Sequence, residues 1–137
     1  MGTVTLRWIE KTFMVGTDSN GHSVAIGRSP EDHSQFHGIK PSDLLLLAAA
    51  SCATYDVVEI LAKQREPLRD LKVICSGEQD ADPPYTFNQI RLHYVVSGPV
   101  NPRNLSRAIT LSEEKYCSVI ASLKPKVPVT CDYEIIE

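Results

Sequence analysis

Hydrophobic and polar residues alternate along the first part of the chain, which is typical of half-buried β-strands. In residues 4–8, valine, leucine and tryptophan take every second position, and threonine and arginine take the others. A second short strand is predicted at residues 13–15. The asparagine–glycine pair at residues 20–21 indicates a hairpin before a third strand at residues 24–26. Residues 28–40 are mostly polar, which indicates a loop.

The next predicted element is a long helix. It begins at Pro41, because Ser42 and Asp43 suit the cap and the first turn of a helix. An acidic residue near the helix N-terminus is also the simplest interpretation of Asp43. We expect the helix to end near Arg65, since Pro67 cannot continue it.

The first half of this predicted helix is hydrophobic on every face, because residues 44–50 are four leucines followed by three alanines. Such a helix must be covered all round, and one sheet with one other helix would cover it poorly. We therefore expect an obligate homodimer with this helix near its centre. The uncharged run is too short to span a bilayer and is interrupted by Asp56 and Glu59, so we expect no membrane partner.

The rest of the chain alternates strands and helices. Strands are predicted at residues 71–75, 87–97 and 127–135 from the alternation of hydrophobic positions. A helix is predicted from residue 101, where asparagine at the cap is followed by proline, to about residue 124. The order of elements argues for a single α+β domain over residues 1–137, with mostly antiparallel strands.

The second predicted helix has a weak point in its interior. It could be broken near Leu111, where Ser112 followed by Glu113 and Glu114 is a combination that can start a new helix.

Composition and charge exclude several classes of protein. With 137 residues, 42% hydrophobic, the chain is long enough for one domain with a real core. A net charge of -3 provides no basic surface, so we expect no nucleic-acid partner. The first residues lack the hydrophobic core of a signal peptide, which favours a cytoplasmic protein with reduced thiols. No Cys-x-x-Cys pair and no cluster of histidines at ligand spacing is present, so no metal site is expected.

The four cysteines differ in their surroundings. Cys75 and Cys131 fall on the hydrophobic side of their strands, which predicts buried fillers. Cys52 and Cys117 lie where hydrophobic and polar halves of helices meet, and local sequence alone favours a structural role for both. No lysine or arginine lies three or four residues from Cys52, and Asp56, if it is close to the sulfur, would raise the pKa of the thiol. Any activating charge must come from elsewhere in the fold.

The histidines add little to this picture. His93 is in phase with polar neighbours on its strand and is predicted to face solvent. His37, in the loop before the first helix, is the one histidine that could approach the helix start, although a loop role is favoured.

Two segments resemble the OsmC/Ohr family, which comprises osmotically inducible protein C and the organic hydroperoxide resistance proteins. They are KPSDLLLLAAASCATYDVVEILAKQR, around Cys52, and LSEEKYCSVIASL, around Cys117. The resemblance extends over nearly the whole chain. The order of proline, acidic residue, leucine–alanine run, cysteine and DVVEIL is most similar to the YhfA-like branch of that family.

This resemblance implies an OsmC-like fold, with mostly antiparallel sheets around long central helices in an intertwined homodimer. It also implies a cytoplasmic, cofactor-free peroxidase of the oxidative stress response that reduces organic hydroperoxides. Cys52 would be the peroxidatic cysteine, and Cys117 would resolve its sulfenic acid through an intramolecular disulfide. A dithiol reductant would then restore both thiols. Asp43 is included in the candidate site as the acidic residue of the YhfA-like pattern.

Two positions differ from the hydroperoxidases of the family. Those enzymes carry a glutamate ten residues before the reactive cysteine, where this chain has Ser42, and an arginine in the early strands, where it has Lys11. The next arginine is Arg28. Two alternatives to a peroxidase therefore stay open. One is a redox-responsive or small-molecule-binding homodimer with little peroxidase activity, and the other is a dimeric scaffold whose cysteines only fill space.

Overall fold

The computed structural model describes residues 2–27 and 38–136. The chain divides into two compact units, Met1–Leu45 and Leu46–Glu137. The boundary falls within the first helix, α1, which runs over Pro41–Lys63. This helix has 23 residues and nearly the predicted bounds, because Pro67 lies soon after its end. Most of the predicted loop at residues 28–40 lies outside the described residues.

The first unit contains a three-stranded antiparallel sheet in the order β1-β2-β3. Strand β1 covers Thr5–Glu10, β2 covers Phe13–Thr17 and β3 covers Ser23–Ile26. These are the three strands that the alternating pattern predicts.

The turn between β2 and β3 is built by Asp18 as well as by the predicted asparagine–glycine pair. The Asp18 Oδ1 atom accepts the backbone N–H groups of Asn20 and His22, each at 2.8 Å. Gly21 has a φ of +89°, a conformation that a residue with a side chain rarely adopts. The side chain of Asp18 therefore accepts the backbone N–H groups of the turn that have no hydrogen-bond partner in the sheet.

The hydrophobic side of β1 is exposed within the chain. Trp8 is 68% exposed and Leu6 is 59% exposed, and Val4, just before the strand, is 76% exposed. A contiguous hydrophobic patch of this kind is typical of an interaction surface. The half-burial that the sequence predicts for β1 is thus not reached in one chain.

Helix α1 has one buried side in the second unit. The buried residues recur at helical spacing, while Leu47, Tyr55 and Val58 are exposed. By length and composition α1 could cross a membrane, but a core helix of a soluble protein passes the same test. The buried side consists of Ala49, Ala50, Ala53, Val57 and Leu61.

The second unit contains a three-stranded sheet in the order β4-β5-β6. Strand β4 covers Asp70–Gln79, β5 covers Phe87–Ser97 and β6 covers Val129–Ile136. Strands β4 and β5 are antiparallel, whereas β6 runs parallel to β5. The α+β class and the mainly antiparallel pairing are confirmed, with β5–β6 as the exception among the described strands. The helices between β5 and β6 return the chain to the same end of the sheet, which permits parallel pairing.

Three helical segments connect β5 to β6. Helix α2 covers Pro102–Leu111, a π-helical turn covers Ser112–Tyr116, and helix α3 covers Ser118–Leu123. The predicted break after Leu111 is confirmed, but the next helix starts at Ser118 and not at Ser112. The cause is a π-type hydrogen bond, in which the Cys117 N–H donates to the Ser112 carbonyl at 2.9 Å.

The start of α2 is capped as the sequence predicts. The Asn101 side chain accepts the backbone N–H groups of Arg103 and Asn104, at 2.9 and 3.4 Å. Glu66, just beyond α1, accepts from the Asn101 N–H at 2.9 Å and from the Asn104 side-chain amide at 2.7 Å. This carboxylate ties the end of α1 to the start of α2.

One face of the second sheet forms the core of this unit. The β5 side chains on that face are 0–1% exposed, and they pack with α1, α2 and α3. The largest fully buried side chains are Tyr94, Leu61, Ile90, Leu92, Leu105, Ile120, Val57, Val96 and Ser112.

On the face opposite the core, where its phase in the strand predicts it, His93 lies between two carboxylates and is partly exposed. Its Nδ1 is 2.5 Å from Asp132 Oδ1, its Nε2 is 3.2 Å from Glu134 Oε1, and its side chain is 25% exposed. Arg91 also donates to Asp132. The parallel register places Asp132 directly opposite His93, so the side chain is covered in part by carboxylates. The hydrogen bonds to Asp132 and Glu134 raise the pKa of His93, and the hydrogen bond from His93 lowers the pKa of Asp132.

This cluster predicts a pH dependence of stability. The His93 contribution is complete below its ordinary pKa of 6.5 and is lost as the pH rises through its raised folded value. The Asp132 contribution is present above its ordinary pKa of 3.8 and is lost as the pH falls through its lowered folded value. We expect the thermal midpoint of the wild type, relative to His93→Gln, to be highest between pH 3.8 and 6.5 and to decline above that window. Melting curves from pH 4 to 9 measure this, and a constant difference between the two proteins would contradict it.

Candidate active site

Cys52 and Cys117, which lie far apart in sequence, lie close enough in the second unit for each to affect the pKa of the other. Cys52 lies on α1, and Cys117 is the residue that precedes α3. The Ser118 hydroxyl also lies at the Cys52 sulfur, with 3.9 Å between Sγ and Oγ. The start of α3 thus brings a thiol and a hydroxyl close to the cysteine of α1.

The conformation of Cys117 follows from its place between the π-helical turn and α3. Its φ of -77° and ψ of 107° are extended, so it interrupts the helical path. Its sulfur accepts the Ile120 N–H at 3.5 Å and so caps α3 in the way a serine would. The residue is 2% exposed. Cys117 is thus the N-cap of α3, and its carbonyl also accepts the Ala121 N–H at 3.0 Å.

The surroundings of Cys52 favour its thiolate. Burial raises the pKa of the Cys52 thiol, but hydrogen bonds from the Val119 N–H, the Cys117 thiol and the hydroxyl and N–H of Ser118 outweigh that effect. The pKa of Cys52 is therefore held below its ordinary value of 9.0. Hydrogen bonds to a charged form stabilise that form, and no full positive charge is needed.

Cys117 behaves in the opposite way. Burial raises its pKa to about 11, the Ile120 N–H opposes this, and the hydrogen bond to Cys52 adds to it. Cys117 therefore keeps its proton near neutral pH and donates it to Cys52. The pair combines an activated sulfur with a protonated neighbour, which are the properties required of an attacking and a resolving thiol.

Sequence reasoning missed the groups that activate Cys52. They belong to Cys117, Ser118 and Val119, and no spacing along α1 indicates them. The available signal was a serine directly after a cysteine, a few residues beyond the predicted helix break. Asp56 was expected to raise the pKa of Cys52, yet its Oδ2 instead accepts the Ser112 hydroxyl at 2.9 Å.

Asp43, the third predicted site residue, lies in the first turn of α1 and belongs to the first unit. Its carboxylate is 4.0 Å from the Lys40 ammonium, and both side chains are exposed. This arrangement agrees with a role at the helix N-terminus. A part for Asp43 in the chemistry stays a prediction. Arg28 and His37, which were considered as further contributors, lie outside the described residues.

The surroundings of the other two cysteines keep their thiols protonated, and both side chains fill space beside the core. Burial raises the pKa of Cys75, and burial together with the Glu113 carboxylate raises that of Cys131 to about 12. Both pack against the core, as their positions on the strands predict. Within residues 2–27 and 38–136, no group of three histidine, cysteine or acidic side chains is arranged to hold a metal ion.

Comparisons with known proteins place this chain in a family. A family model described as OsmC-like protein matches residues 31–132. Protein YhfA of Escherichia coli (strain K12) is 33% identical over 132 residues, which are 96% of this chain and 96% of that protein.

Solved structures agree with this match. A hypothetical protein from Aquifex aeolicus VF5 is 29% identical and has a TM-score of 0.85, over 100% of this chain and 98% of that chain. The organic hydroperoxide resistance protein OhrB of Bacillus subtilis is 16% identical with a TM-score of 0.67, over 98% of both chains, and so shares the fold. The match to the family model over most of the chain, and the identity to YhfA over nearly all of it, show that this protein belongs to the OsmC family.

Proposed function

We propose that the protein is a thiol-dependent peroxidase that reduces organic hydroperoxides, with Cys52 as the attacking residue and Cys117 as the resolving residue. One observation carries the proposal: the segment that contains Cys117 lies at the Cys52 sulfur, where the Ser118 hydroxyl is 3.9 Å away and hydrogen bonds from this segment lower the pKa of Cys52. Membership of a family with structural neighbours named organic hydroperoxide resistance proteins supports the choice of substrate.

In the first step the Cys52 thiolate attacks the terminal oxygen of the hydroperoxide. An S–O bond forms, the O–O bond breaks, and the leaving alkoxide takes up a proton to become an alcohol. The result is a sulfenic acid at Cys52. Its neighbours, the Val119 N–H and the Ser118 hydroxyl, surround the sulfur before the reaction and stabilise its negative charge.

In the second step the Cys117 sulfur attacks the sulfenic sulfur of Cys52. An S–S bond forms, the S–O bond breaks, and the proton of the Cys117 thiol leaves with the hydroxyl as water. A dithiol then reduces the disulfide by exchange. This cycle suits the cytoplasm, where such reductants are abundant, and we place the protein there.

Organic hydroperoxides fit the residues around Cys52 better than hydrogen peroxide does. Small side chains, Ala48 and Ala49, precede Cys52 on α1, and the exposed ring of Tyr55 follows it. Small and aromatic neighbours of this kind favour an alkyl group over water.

A redox-responsive homodimer is the second candidate function. Ser42 stands where the hydroperoxidases of the family carry a glutamate, and the carboxylate of Asp43 is exposed beside Lys40. A disulfide that forms with oxidant but is not turned over by a dithiol would favour this candidate.

We also propose that the protein acts as a homodimer. Two exposed hydrophobic surfaces support this, the side of β1 in the first unit and Leu47 with Val58 in the second, because exposed hydrophobic patches are typical of interaction surfaces. A second copy of the chain is the simplest cover, and it agrees with the expectation from the helix that is hydrophobic all round.

The peroxidase proposal predicts distinct defects for the two cysteines. Cys52→Ser should reduce cumene hydroperoxide consumption with dithiothreitol to the uncatalysed rate, because the nucleophile is lost. Cys117→Ser should consume one equivalent per chain without reductant and leave a sulfenic acid that dimedone traps. Cys75→Ser is the matched control and should keep the wild-type rate. Equal consumption by the wild type and Cys52→Ser would refute the peroxidase role.

The dimer proposal predicts a solution mass of twice 15.2 kDa at micromolar concentration. Leu6→Asp should shift the mass toward one chain, because it places a charge on the hydrophobic side of β1. Thr5→Asp is the matched control, since Thr5 is exposed on the other side of the same strand. Sedimentation equilibrium measures both variants, and a wild-type mass of one chain would contradict the proposal.

A further inference from the structure

Ser112 is the buried polar side chain of the second unit that links the two cysteine-bearing segments. It is 1% exposed. Its hydroxyl lies 2.9 Å from Asp56 Oδ2 and 3.3 Å from the Ala53 carbonyl, both on α1. Asp56 is one helical turn after Cys52, so the bond attaches to the part of α1 that carries the attacking sulfur.

The same residue also fixes the backbone of Cys117. The Ser112 carbonyl accepts the Cys117 N–H at 2.9 Å and closes the π-helical turn. A π-helical turn is a locally unusual conformation that recurs at functional sites. Here it ends the helical path at Cys117, directly before Ser118, whose hydroxyl lies 3.9 Å from the Cys52 sulfur.

We propose that Ser112 is a positioning residue for disulfide formation, which sets the placement of Cys117 relative to Cys52 by anchoring the π-helical turn to Asp56. This inference rests on the proposed pairing of the two cysteines. Ser112 touches neither reacting sulfur. It acts through its two ends, the hydroxyl toward α1 and the carbonyl toward the Cys117 N–H.

The chemistry explains why such an anchor matters. In disulfide formation the Cys117 sulfur must approach the Cys52 sulfur from the side opposite its leaving group, and the leaving hydroxyl departs as water with the thiol proton. Well-oriented partners react with effective concentrations far above those of free thiols, and a displacement of about 1 Å can cost roughly 100-fold. Loss of the anchor therefore acts on this step more than on the attack of Cys52 on peroxide.

The test measures the stability of the Cys52–Cys117 disulfide without peroxide. The full-length protein is equilibrated with reduced and oxidised glutathione, and the disulfide is quantified by alkylation and peptide mapping. Ser112→Ala should lower the effective concentration of Cys117 about tenfold, which raises the reduction potential of the disulfide by about 30 mV. Thr54→Ala is the matched control, because Thr54 donates its hydroxyl only to its own helix, at Ala50.

Variants of Asp56 keep the test decisive if Ser112→Ala does not fold. Asp56→Ala removes the acceptor on α1 and should lower the effective concentration of Cys117 as Ser112→Ala does. Asp56→Asn keeps an acceptor oxygen and should retain most of the wild-type effective concentration. The double variant with Ser112→Ala and Asp56→Ala should lower the effective concentration no further than either single variant, because both substitutions remove the same hydrogen bond. A general structural defect would lower the effective concentration of Cys117 as much in Asp56→Asn as in Asp56→Ala, and that result would overturn the proposal.

A second arm separates this inference from the peroxidase proposal. With one equivalent of cumene hydroperoxide and no reductant, Ser112→Ala should form the sulfenic acid at the wild-type rate but convert it to disulfide about tenfold more slowly. Failure of the wild type to react would refute the peroxidase role, while the glutathione equilibrium would still measure the anchor. The positioning role would be overturned if Ser112→Ala and Asp56→Ala both showed the same disulfide equilibrium with glutathione as the control Thr54→Ala.

Discussion

The candidate site depends on the hydrogen bonds that reach the Cys52 sulfur from residues 117–119. A sulfur on a mostly hydrophobic helix is poorly solvated, and burial alone would keep it protonated. The Val119 N–H, the Cys117 thiol and the Ser118 groups reverse this preference. The π-helical turn, the extended conformation of Cys117 and the short helix α3 all serve to bring these donors to one point.

This arrangement shifts the pKa values of the two thiols in opposite directions. Cys52 gains donors and its pKa falls, whereas Cys117 is a donor and its pKa rises to about 11. Their shared hydrogen bond therefore favours one ionisation over the other. An arginine, which the hydroperoxidases of the family place near their reactive cysteine, is one way to stabilise a thiolate, and clustered N–H, S–H and O–H donors are another.

Local sequence predicted those parts of the fold that local physics decides. The first helix was bounded by Pro41 and Pro67, strand β5 by its alternation over residues 87–97, and α2 by its Asn101 cap, because each signal lies next to the element it controls. The alternation along β1 also predicted a strand, although its hydrophobic side is exposed within one chain.

The misses arose where distant residues meet. The activation of Cys52 depends on donors 65 or more positions away in sequence, and the acceptor for Ser112 lies on another helix. The carboxylate partners of His93 were not predicted, because the parallel pairing of β5 with β6 could not be read from the alternation of either strand. The resemblance to a family paired Cys52 with Cys117, but it did not identify which groups lower the pKa.

The most direct test of this account is the pKa of the Cys52 thiol. The pH dependence of its alkylation by iodoacetamide, followed by peptide mapping, reports the thiolate fraction at this residue. The account predicts a midpoint below 9.0 in the wild type and a higher one in a Cys117→Ala, Ser118→Ala double variant, which lacks two of the donors. A wild-type midpoint at or above 9.0, unchanged by removal of those donors, would contradict it.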